Sequence, residues 1–169
     1  MTVKDLETIY DYGYWANRKL FEVIGQLTSE EFTREMGGEG KSIRSALVHI
    51  LSAEWGWLAR CGGPERGERL NPEDFPSLDS IKELWSEVES HVRAFLSSLK
   101  DEDLERTVEY WVEAGKGGAL PLGALMRHAA NHGVHHRGQI TQMLRLMGRS
   151  SGNIDLLFYE GETRGVNVL

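Results

Sequence analysis

The sequence predicts an all-α protein, a four-helix bundle with long crossover connections, and three observations carry that expectation. Four long stretches repeat apolar residues at the three- and four-residue spacing of a helix face. Two of the connections between them are too long for tight helical hairpins. The chain has 169 residues, 40% hydrophobic and 27% charged, which fits one soluble domain over residues 1–169, large enough to bury a core.

The first helix is expected from Val3 to Leu27, with Leu6, Ile9, Tyr10, Gly13, Leu20, Ile24 and Leu27 on one stripe. Thr28 and Ser29, followed by Glu30 and Glu31, have the form of a cap for a short turn through Phe32. Gly37-Gly38-Glu39-Gly40 reads as a flexible loop. The second helix starts near Ser42 and reaches Arg60, where Gly62-Gly63-Pro64 ends it. Residues 62–76 have no period and read as a crossover loop. The third helix opens at Ser77 to Asp79 and runs to Leu99, with Ile81, Leu84, Trp85, Val88, Val92 and Phe95 inward. Thr107 to Val112 alternates weakly and, with Gly115-Lys116-Gly117-Gly118 after it, reads as an extended or hairpin-like connection. Pro121 suits the first turn of the last helix, which continues to Met147 before Gly148. The tail after Ser151 shows no pattern that assigns it.

Charge and cysteine usage narrow the function. Nineteen Lys and Arg against 26 Asp and Glu leave a net charge of −7, and no basic run is present to neutralise a phosphate backbone. A nucleic-acid partner is therefore not expected. The single cysteine, Cys61, excludes an internal disulfide and a cysteine zinc cage, and reads as a small buried hydrophobe. The N-terminal stretch is charged from its first turn, and nothing approaches the ~20 apolar residues of a membrane span. The expectation is a cytoplasmic protein without a membrane partner.

The informative segment is His128-Ala-Ala-Asn-His132-Gly-Val-His135-His136-Arg137-Gly138-Gln139, which holds four of the six histidines. At roughly 100° per residue from Leu122, His136 falls near 320° and His132 near 280°, inside and at the edge of the apolar arc. His128 and His135 fall on the shoulder toward solvent, where they are surface or supporting candidates. His132 and His136 are thus an i, i+4 pair pointing inward. Two adjacent buried imidazoles each need a partner, and one divalent ion satisfies both. The alternative is a core pair hydrogen-bonded to neighbouring helices; the His-rich turn favours the metal. The zincin pattern fails because Gly133 stands where its Glu would be, and no Glu-x-x-His repeat of a di-iron bundle is present.

Asn131-His132-Gly-Val-His135-His136-Arg137-Gly138-Gln139 resembles the signature of the DinB-like (damage-inducible) family of proposed metalloenzymes. Ser45-Ala-Leu-Val-His49-Ile50, followed by Glu54 and Trp57, is similar to the same family's second helix, and Tyr14-Trp15-Ala16-Asn17 to its opening. The resemblance spans Leu6 to Tyr159. It implies one divalent metal, zinc or nickel, held by His49, His132 and His136. Periodicity alone does not select His49, which lies near 240° from Ile43, off the apolar stripe. Its neighbours Ala46, Ala53 and Gly56 are small enough to admit another helix.

Among the inward polar residues, Glu54 and Arg137 are candidate catalytic residues and Asn17 a candidate for binding a cofactor. Glu54 could orient a ligand histidine or pair with an arginine. Gln139 reads as a hydrogen-bonding residue between helices, and His91 as a structural residue at the edge of its stripe. Three imidazoles leave a coordination position open for chemistry. Relatives of the family are transferases and isomerases that use low-molecular-weight thiols. The resemblance therefore implies a metal-dependent S-transferase acting on a small-molecule substrate in stress response or detoxification, with such a thiol as cosubstrate. The rival readings are a metal-hydroxide hydrolase, with Glu54 as base, and a non-catalytic metal-binding stress protein. A homodimer is expected because related bundles pair and because Trp15, Tyr12 and Trp55 are difficult to bury within one bundle.

Overall fold

The computed structural model describes residues 1–37, 41–65, 69–112 and 115–168. Its α-helices are α1 (Val3–Ile24), α2 (Ser29–Thr33), α3 (Ile43–Arg60), α4 (Leu78–Ser98), α5 (Leu122–Leu146) and α6 (Leu156–Arg164). Strands β1 (Thr107–Trp111) and β2 (Gly117–Pro121) lie between α4 and α5. The protein is therefore mostly helical, and the strict all-α expectation is corrected by an antiparallel hairpin that pairs Thr107 with Pro121 and Trp111 with Gly117. Pro121 ends β2, so α5 begins one residue later than the sequence indicates. The Gly38–Gly40 part of the expected flexible loop lies outside the described residues.

Side-chain oxygens set the helix starts. Thr2 accepts from the Asp5 amide, Thr28 from Glu31, Ser42 from Ser45 and Ser77 from Ser80. At Thr2 and Thr28 the carboxylate three residues on bonds back to the cap amide, completing a capping box. α1 ends at Ile24 rather than Leu27, where the chain turns into the short α2.

α1 packs against α4 and α5, and α3 packs against the same two helices, its broadest contact being with α5. The core between them includes Leu6, Leu20, Ile43, Leu47, Leu51, Ile81, Val88, Leu122 and Ile140, all at 0% exposure. The hairpin is fastened to the end of α3 by Arg106, whose Nη2 donates to the Cys61 carbonyl at 2.9 Å. Cys61 itself is fully buried, and desolvation pushes its thiol up to about 11. Among the described residues, no helix is long and apolar enough to cross a membrane.

The tail supplies what the sequence left unassigned. α6 folds over α1, so that Phe158, Tyr159 and Ile154 cover Tyr12 and Trp15. The Tyr12 hydroxyl donates to the Ile154 carbonyl at 3.0 Å, and the Tyr159 ring stands edge-on to Trp15 at 5.8 Å. Tyr12 and Trp15 are each 8% exposed, and Trp55 is half-buried against the core. The residue-level argument for a dimer is thereby corrected: the chain covers those aromatics itself. Phe158→Ala should cost about 1–2 kcal/mol of stability in denaturant unfolding. Its tryptophan emission should shift to the red before global unfolding, because Trp15 loses part of its cover.

Candidate metal centre

α5 places His132 and His136 one turn apart, and α3 brings His49 to meet them. The His132 Nε2 atom lies 3.2 Å from that of His49 and 3.1 Å from that of His136. One ligand nitrogen from each of the three lies within 4.8 Å of the others. The ring centroids are 4.4 to 4.9 Å apart. His136 is 3% exposed, while His49 and His132 are half-buried.

Hydrogen bonds alone do not satisfy this arrangement. The Gln139 Oε1 atom lies 2.7 Å from His136 Nδ1, while its amide nitrogen faces His135 Nε2 at 3.2 Å. With that amide orientation His136 Nδ1 carries the proton and donates it to Gln139, leaving a lone pair on the Nε2 of the neutral ring. His132 Nε2 holds at most one proton for the two nitrogens that face it. A divalent ion accepts lone pairs from all three, so the donor set fits a first-row metal. Desolvation, reinforced by the neighbouring imidazoles, lowers the His132 pKa to about 4. Its lone pair is accordingly available at neutral pH.

His49 and His132 open onto a cleft of about 290 Å³ whose wall also includes Ser52, Ala53, Trp57, Arg60, Arg69, Val112 and His128. Its α3 side follows from helical spacing: Ala53, Trp57 and Arg60 lie four, eight and eleven residues beyond His49, on the same face. Arg60 and Arg69 carry no motif in the sequence, although extending the His49 face along α3 reaches Arg60. His128, one turn before His132, stands edge-on to Trp57 at 5.0 Å. His135 is exposed, and His91 is half-buried on α4. Gln139, read as bonding between helices, instead links two histidines of its own helix and orients one of them.

The other predicted residues come together elsewhere. Arg137 Nη1 donates to Asn17 Oδ1 at 3.3 Å, and its guanidinium lies 5.6 Å from the Tyr12 ring centre. Gly133 makes this packing possible: a Cβ there would meet Arg137 Nη1 at 3.0 Å and an Ile50 methyl at 3.7 Å. The Tyr14 hydroxyl donates to Glu54 Oε1 at 3.1 Å. None of Glu54, Arg137 and Asn17 lines the cleft; they bind α1 to α3 and α5. Desolvation raises the Glu54 carboxyl from its ordinary 4.5 to about 7, against the lowering effects of the Tyr14 hydroxyl and the Arg137 charge.

Two measurements check this geometry. Replacing His132 or His136 by Ala should abolish stoichiometric binding of a divalent ion in equilibrium dialysis. His135→Ala should retain it, and Gln139→Leu should weaken it by roughly 10–100-fold. The second concerns Glu54, whose folded pKa of about 7 lies above the ordinary 4.5. The native state then holds the proton more tightly than the unfolded chain. Stability from this group is full below 4.5 and is lost as pH rises through 7, by on the order of 2–3 kcal/mol. Glu54→Gln, which keeps an acceptor for Tyr14, should flatten that part of the stability–pH curve and stabilise the protein at pH 8.

The chain is similar to known proteins over most of its length. The chain is 25% identical over 158 residues to Protein DinB of Bacillus subtilis (strain 168), covering 89% of this chain and 91% of that protein. It is 24% identical over 136 residues to the YizA protein of the same organism, covering 80% and 84%. Its fold matches the crystal structure of a DinB-like protein from Bacillus cereus with a TM-score of 0.71 at 22% identity, over 90% of this chain and 97% of that one. The sequence pattern of the DinB family matches residues 1–165. The chain belongs to the DinB family.

Proposed function

We propose that this protein is a metal-dependent S-transferase that uses a low-molecular-weight thiol, with His49, His132 and His136 as the ligands of one divalent ion, zinc or nickel. The observation that carries the proposal is the convergence of three imidazole nitrogens at the wall of an open cleft. His49, His132 and His136 would hold a divalent ion there, which would supply a lowered thiol pKa and a stabilised thiolate nucleophile. Gln139 fixes the tautomer and ring orientation of His136, and burial keeps His132 neutral. Ala53, Trp57 and Val112 give the cleft an apolar wall against which an electrophilic small molecule can lie.

Cys61 supports the need for a diffusible thiol, because it is the only cysteine and its buried thiol stays protonated. The hydrolase reading loses its base, since the Glu54 carboxylate is engaged by Tyr14 and lies outside the cleft lining. A role in stress response or detoxification follows from the same reading.

The metal-loaded protein should accelerate displacement of chloride from a chlorinated aromatic by glutathione, bacillithiol or mycothiol, or addition of such a thiol to an activated alkene. His49→Ala should behave like the metal-free protein in that assay. Calorimetric titration of the thiol in two buffers of different ionisation enthalpy should show proton release on binding. Absence of thiol binding, together with hydrolysis of an ester or amide, would overturn the proposal.

A further inference from the structure

The cleft beside the histidines differs in charge from the rest of the molecule. The chain carries a net charge of −7, yet two arginines and no acidic residue line the cleft among the described residues. Cations gathered in a concave wall favour an anion more than the same charges do on a convex surface, and both arginines here remain exposed and within reach of a ligand from solvent.

Arg60 is held in place for such a task. Its Nη1 donates to the Gly56 carbonyl at 2.8 Å, and its guanidinium carbon lies 5.2 Å from the Trp57 ring centre. A guanidinium braced in this way loses less rotamer entropy on binding than a free one, and its planar fork matches a carboxylate or phosphate. Trp57 is in turn braced by Tyr110 of β1 at 5.7 Å and by His128 of α5 at 5.0 Å. The hairpin, α3 and α5 therefore fix one wall together. Beyond the arginines the cleft offers Trp57, Ala53 and Val112, an apolar surface that leads to His49 and His132.

We infer that this cleft binds a small organic anion, its carboxylate or phosphate held by Arg60 and Arg69 and its apolar body against Trp57 and Val112. Seated so, the molecule lies beside the imidazole nitrogens. As the substrate class of the transferase this rests on the function proposed above, whereas the binding itself rests on the cleft. Arg60 and Arg69 are then the residues that select the substrate by charge.

The test is calorimetric titration of the zinc-supplemented full chain with benzoate, phenyl phosphate and the neutral benzamide. At least one anion should bind tenfold or more tightly than benzamide. Arg60→Gln and Arg69→Gln should each remove most of that preference without changing zinc content, and Arg60→Lys should keep part of it. Direct attachment of the anion to the metal would not depend on either arginine, so the variants separate the two modes. Equal binding of all three compounds, or an anion preference that survives in both Gln variants, would overturn the inference. Should Arg60→Gln fail to fold by circular dichroism, Arg60→Lys and Arg69→Gln decide. No thiol and no turnover enter the measurement, so failure of the S-transferase reading would leave its result intact.

Discussion

The close seating of α3 on α5 is the contact on which the site depends. Two of the three histidines share a helix and would be neighbours in any fold that keeps α5 intact, but His49 reaches them only because the two helices approach closely. Gly133 of α5 stands at this contact, where a Cβ would meet an Ile50 methyl of α3 at 3.7 Å. Close approach leaves three imidazole nitrogens facing one another with too few protons to share. Such a cluster can offer three nitrogen lone pairs to a single acceptor. It is well suited to a cation.

α5 serves two neighbours at once. His136 points toward α3, while Arg137, one residue and about 100° further round, points toward α1 and reaches Asn17. A buried guanidinium needs several partners, and the Tyr12 ring face and the Glu54 charge add to that hydrogen bond. This anchoring fixes the rotation of α5 about its own axis, and with it the direction in which His132 and His136 project. The polar network on the α1 side and the two histidines on the α3 side are thus carried by one helix. α6 in turn closes over Tyr12 and Trp15, so the last helix protects the far side of the same network.

Much of this was legible in the sequence. The four long helices, a cap at Thr28 or Ser29, the hairpin-like connection and the inward His132–His136 pair follow from periodicity and local chemistry. His49 did not, for a physical reason. A helical wheel finds a single apolar stripe, whereas α3 packs against both α4 and α5, so a polar residue off the Leu47–Leu51 stripe can still face a neighbouring helix. Only the family resemblance pointed to His49. α6 was hidden because Leu156 and Leu157, the residues that look most like an inward face, are 46% and 64% exposed, while Phe158 and Tyr159 make the contact. The cleft was missed because it joins residues of α3, α5 and the hairpin, which no local pattern brings together.

The central claim is that the three histidines hold a metal ion in the protein as the cell makes it. Anomalous scattering answers this directly, on crystals of protein purified without a histidine tag and without added metal, with data collected on both sides of the zinc and nickel absorption edges. The account predicts one strong anomalous peak per chain, enclosed by the Nε2 atoms of His49, His132 and His136, that disappears below the edge of a single element. A site without anomalous signal in untreated protein, or an ion held by other residues while these three imidazoles bond only to one another, would contradict it.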